Sequence, residues 1–102
     1  FLLRVPNLKV IEPGCIVELE QALRCAAETP GPFYLRIVRC EVERDGLPDG
    51  YRFRLGHGVT AIDDGSDVGL VCTGYLIGTA RAAALRSAKM ALASSSWPWV
   101  LK

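Results

Sequence analysis

Arg36 and Arg39 stand in the stretch GPFYLRIVRC at residues 31–40, whose aromatic and β-branched content otherwise predicts a strand. Strand alternation puts Phe33, Leu35 and Ile37 on one face and Tyr34, Arg36 and Val38 on the other, with Arg39 falling where the strand is expected to end. Charges are almost never buried unpaired, so each guanidinium should meet either a carboxylate or an anionic ligand. In open parallel sheets ligands collect at the carboxyl ends of strands, and Arg39 lies at such an end.

The other reactive side chains assemble into nothing. TGYLIG at residues 73–78 has glycines near an expected helix start, where backbone N–H groups can face an anion, but it lacks the G-x-x-x-x-G-K-[ST] pattern and reads as a plain strand-to-helix turn. His57 sits between Gly56 and Gly58 with no acid or nucleophile beside it. Asp63, Asp64 and Asp67 lack the spacing of a calcium loop and fit a turn. Cys15, Cys25, Cys40 and Cys72 form no C-x-x-C pair, so neither zinc nor another metal is expected on them. Most of the four lie in apolar runs, where cysteine behaves as a small hydrophobe, and reduced thiols in a cytoplasmic protein are expected.

The elements that must position these residues follow from periodicity. LKVIE at residues 8–12 is a short β-prone run closed by Pro13-Gly14. IVELEQALRCAAE then places Ile16, Leu19, Leu23, Ala26 and Ala27 at helical spacing, with Glu18, Glu20, Arg24 and Glu28 elsewhere round the wheel, before TPGP ends the helix. Residues 8–39 therefore spell strand, helix, strand, the order of a right-handed parallel crossover. EVERDGLPDG at residues 41–50 is charged and turn-rich and reads as a linker. Beyond it, YRFRLGHGVTAI predicts an edge strand or hairpin, and DVGLVCTG a buried parallel strand. The alanine-rich run from Leu76 to Leu92 predicts a helix, and SSSWPWVLK room for a last short strand. The fold class expected is α/β, built from parallel strand-helix-strand units.

Composition bounds the function. The 102 residues are half hydrophobic with a net charge of +1, which excludes a disordered or nucleic-acid-coating chain. Arg81, Arg86, Lys89 and Trp97-Pro98 interrupt the apolar run near the end, so a membrane span is not expected. The opening on Phe1 and an apolar lead suggests a piece of something longer.

In order and spacing, LRVPNLKVIEPG, VELEQALRCAAETPGPFYLRIVRCEV and GSDVGLVCTGYL, with the alanine-rich run behind, resemble the middle of the transketolase family. The resemblance implies parts of two three-layer α/β domains: residues 1–40 as the end of the pyrimidine-binding domain, 41–50 as linker, and 51–102 as the start of the transketolase C-terminal domain. It further implies a parent enzyme, dimeric, that moves a two-carbon ketol unit between sugar phosphates with thiamine diphosphate and a divalent cation such as magnesium. Arg39 matches the family's substrate phosphate-binding arginine. The cofactor-activating glutamate and the diphosphate and metal site match nothing here, so the chain alone should be inactive and should not bind the cofactor. Two departures stand out: Pro13-Gly14-Cys15 replaces a Pro-Ala-Asp that would cap the helix, and ASSSWPWVLK replaces a glycine-led β-branched strand. Rival readings are a fragment of a 2-oxo acid dehydrogenase beta component, which would not need Arg39, and a non-catalytic remnant that pairs with a full-length subunit.

Overall fold

The computed structural model describes residues 2–39, 47–63, 65–87 and 90–95. Two sheets organise them. In the first, β1 (Lys9–Ile11) and β2 (Phe33–Leu35) pair in parallel, with Lys9 opposite Phe33 and Ile11 opposite Leu35. Helix α1 (Ile16–Glu28) makes the crossover between them, as the apolar spacing predicts. Lys9 fixes the start of β2 by donating from Nζ to the Pro30 carbonyl at 2.9 Å and standing 4.8 Å over the Phe33 ring.

β2 is shorter than expected. The strand stops at Leu35, one backbone bond short of Arg36, whose N–H still donates to the Ile11 carbonyl at 2.8 Å. The physical reason lies on the partner: β1 runs into Glu12-Pro13, and proline has no N–H to continue a ladder. Arg36 and Arg39 thus lie beyond the strand, in the segment leaving its carboxyl end.

The second sheet has the order β3-β5-β4, formed by β3 (Gly58–Asp63), β4 (Val68–Cys72) and β5 (Met90–Ser95). β4 and β5 are parallel, and β3 runs antiparallel to β5 with an irregularity between Thr60 and Ile62. β3 is the edge strand expected, yet it forms no hairpin with β4, because β5 lies between them. A single turn of 3-10 helix at Gly74–Leu76 leads from β4 into α2 (Ile77–Leu85).

The helix expected through Leu92 therefore ends at Leu85. Arg86 and Ser87 close it with bonds back to the Ala83 and Ala84 carbonyls at 3.2 and 3.0 Å. Alanine's helix propensity is a weak prior, and in Met90–Ser95 two flanking strands overrule it by offering hydrogen-bond partners on both sides. Residues 96–102, with most of the tail in which a last strand was allowed for, lie outside the described residues, as do Cys40 and residues 41–46 of the linker.

Ala80 and Ala84 of α2 are buried against Ala61, Ile62, Leu70 and Cys72, whereas Ile11 and Ala22 are fully buried on the first sheet's side. The predicted apolar stripe of α1 is only partly covered: Ile16 and Leu23 are about half exposed, and the buried positions are Glu18 and Ala22. Among the described residues β4 is an edge of its sheet with no charge along Val68–Cys72, and Val71 is 67% exposed. Such an edge templates further pairing. Replacing Val71 by Lys should therefore reduce self-association in light scattering at unchanged urea midpoint; undiminished association would locate the sticky surface elsewhere.

Candidate functional site

The carboxyl ends of β1, β2 and β4 converge on one cleft. Its volume is about 250 Å³, and it is lined by Pro13, Cys15, Ile16 and Leu19 after β1, Ile37 and Val38 after β2, and Tyr75 after β4. Ligands of open α/β sheets collect at such ends. The two sheets touch at a pair of glycines: a Cβ on Gly14 would stand 2.7 Å from the Gly74 carbonyl oxygen, and one on Gly74 would stand 2.6 Å from Cγ of Glu12. Gly74 also has φ of 61°, so the glycine of TGYLIG serves a left-handed turn and a close approach. The plain-turn reading of that motif agrees with this geometry.

The two arginines part company. Arg36 Nη1 lies 3.2 Å from Oε1 of Glu12, the carboxylate partner that its position called for. Because Arg36 is 60% exposed, that pair adds little stability, in the range of about 0–1 kcal/mol. Arg39 is exposed and immediately follows Val38 of the cleft wall, and among the described residues it enters no ion pair.

The remaining candidates are not drawn together. His57 is exposed, its Nδ1 3.1 Å from the Leu55 carbonyl. Asp63 is the last residue of β3, Asp67 accepts from the Ser66 hydroxyl at 3.1 Å, and Asp64 lies outside the described residues. Cys15 is buried and Cys25 half-buried, both as free thiols, Cys72 is half-buried at the end of β4, and Cys40 lies outside the described residues. Among the described residues no group of three His, Cys, Asp or Glu is placed to hold a metal ion, so they do not supply a cation's donor set. No described helix is long and apolar enough to cross a membrane.

Sequence reasoning missed Glu18. Helical spacing places it off the apolar stripe, yet it is 2% exposed, accepting the Gly14 N–H at 2.7 Å and the Tyr51 hydroxyl at 2.9 Å. Cys15 occupies the N-cap without a side-chain hydrogen bond, and Glu18 reaches back to the N–H of Gly14, the residue before the cap. A Glu three residues after the cap was the signal available. Tyr75 and Glu12, brought to the site by the sheets' convergence, had none.

A parallel strand-helix-strand unit joined to a second unit of strands and helix, with a cleft at the strands' carboxyl ends, defines an α/β protein. No family model matches the chain. It is 36% identical over 72 residues to an uncharacterized transketolase family protein of Sinorhizobium fredii, a match covering 71% of this chain and 21% of that protein. Its fold is similar to that of a split gene transketolase solved as an inactive beta4 tetramer, with a TM-score of 0.83 and 25% identity over 93% of this chain and 32% of the other. The chain is therefore homologous to a segment of the transketolase family and shares its fold over that segment. It spans about a fifth of the first relative and a third of the second.

Proposed function

We propose that the chain supplies the substrate-phosphate end of a transketolase-type active site and leaves cofactor chemistry to parts of the protein beyond it. The observation that carries this reading is the place of Arg39, exposed and directly following a wall residue of the cleft at the strands' carboxyl ends. A guanidinium there offers two parallel N–H donors to phosphate oxygens, in the fork geometry that lysine lacks. Around it the cleft is mostly apolar, which suits a site that holds a sugar chain by one charged end.

In this reading residues 1–40 close a pyrimidine-binding domain, 41–50 connect, and 51–102 open a C-terminal domain. The parent enzyme transfers a two-carbon ketol unit between sugar phosphates, using thiamine diphosphate and magnesium, as a dimer or larger assembly. The split gene relative, an inactive beta4 tetramer, supports the idea that such a segment assembles without being active by itself. Cysteines in apolar surroundings with no C-x-x-C pair fit a reducing, cytoplasmic setting.

Calorimetry tests the division of labour. Thiamine diphosphate with magnesium titrated into the isolated chain should give no heat beyond dilution, because the diphosphate's charge needs a cation that these residues do not coordinate. Saturable binding at micromolar concentrations would assign the cofactor site to this chain and overturn the proposal.

A further inference from the structure

The segment that leads into the second sheet is held by side chains. Residues 51–54 belong to no strand or helix, yet Gln21 of α1 grips their backbone with both ends of its amide. Its Oε1 accepts the Phe53 N–H at 2.6 Å, and its Nε2 donates to the Tyr51 carbonyl at 3.3 Å. This is the service a neighbouring strand would give, an acceptor and a donor offered to alternate residues of one extended segment. Glu18 lies three residues earlier on the same helix face and accepts the Tyr51 hydroxyl at 2.9 Å. Its other oxygen takes the Gly14 N–H at 2.7 Å.

We infer that Glu18 and Gln21 form a latch that straps residues 51–53 to α1 and thereby sets the mouth of the cleft. A carboxylate this buried is costly unless hydrogen-bonded, so loss of the strap's bond weakens the hold that the same carboxylate keeps on Gly14. Gly14 abuts Gly74, and Tyr75, next in the chain, is the wall residue that the second sheet contributes. Cys15, three residues before Glu18, lies in the opposite wall and is only 4% exposed. Releasing the strap frees the second sheet to draw Tyr75 away from Cys15. A segment held by side chains rather than by a ladder belongs to the part of a fold that opens first.

The test pairs amide exchange at Phe53 with thiol labelling of Cys15, resolved by peptide mass and referred to Cys72 in the same molecule. Gln21→Ala should speed exchange at Phe53 and raise Cys15 labelling about five- to tenfold over Cys72. Tyr51→Phe, which deletes one oxygen, should raise Cys15 labelling about two- to threefold and leave Cys72 unchanged. Were Gln21→Ala to unfold the chain, Tyr51→Phe alone would decide. Unchanged Cys15 labelling in Tyr51→Phe, or an equal rise at Cys15 and Cys72, would show that the strap does not govern the cleft, and would overturn the inference.

Discussion

Gly74→Ala should lower the stability of the chain by about 2–5 kcal/mol, measured as a shift of the urea midpoint at constant slope. Two terms add. A non-glycine residue in the left-handed region costs about 1–2 kcal/mol, and Gly74 has φ of 61°. Overpacking costs about 1–3 kcal/mol more, because the new methyl would fall 2.6 Å from Cγ and 2.7 Å from Cδ of Glu12. The atoms met belong to the side chain of Glu12, which is only 19% exposed and so can yield only in part. Gly50 separates the terms: its φ is 72°, but a Cβ there meets nothing within 4 Å, so Gly50→Ala should show the backbone term alone. Gly69→Ala, with free space and no positive φ, should be nearly neutral. Equal losses at Gly74 and Gly50 would mean that the two sheets do not meet at Gly74.

The same residues show how far local pattern reaches. The β1-α1-β2 crossover was legible because its signals are local: a β-prone run, helical spacing, and prolines and glycines at both helix ends. Arg36's partner was foreseen in kind, since an arginine beside a sheet demands a carboxylate, though nothing in the sequence singled out Glu12. The early end of β2 was hidden because its cause, Pro13, sits on the other strand. β5 was hidden because Met-Ala-Leu-Ala has no β-branched residue, and its strand character comes wholly from the two neighbours that flank it. Glu18 lies off the helix's apolar stripe, and its partner Tyr51 is 33 residues away. Half of the cleft was thus readable from motif and spacing. The half made by convergence of the two sheets was not, because no periodicity encodes a contact between glycines 60 residues apart.

The claim that Arg39 receives a substrate phosphate is tested most directly by kinetics of Arg39→Ala in the complete protein that contains this segment, assayed with a phosphorylated and a non-phosphorylated ketose donor. Charge-assisted hydrogen bonds contribute about 1.5–3 kcal/mol each, and a phosphate remote from the bond being broken is held alike in ground and transition states. KM for the phosphorylated donor should therefore rise about ten- to a hundredfold with a smaller fall in kcat, and Arg39→Lys should recover only part of the loss because it lacks the fork. The non-phosphorylated donor should be handled almost as by the unaltered enzyme. An equal loss with both donors would make Arg39 a structural residue and contradict the phosphate-binding role proposed for this chain.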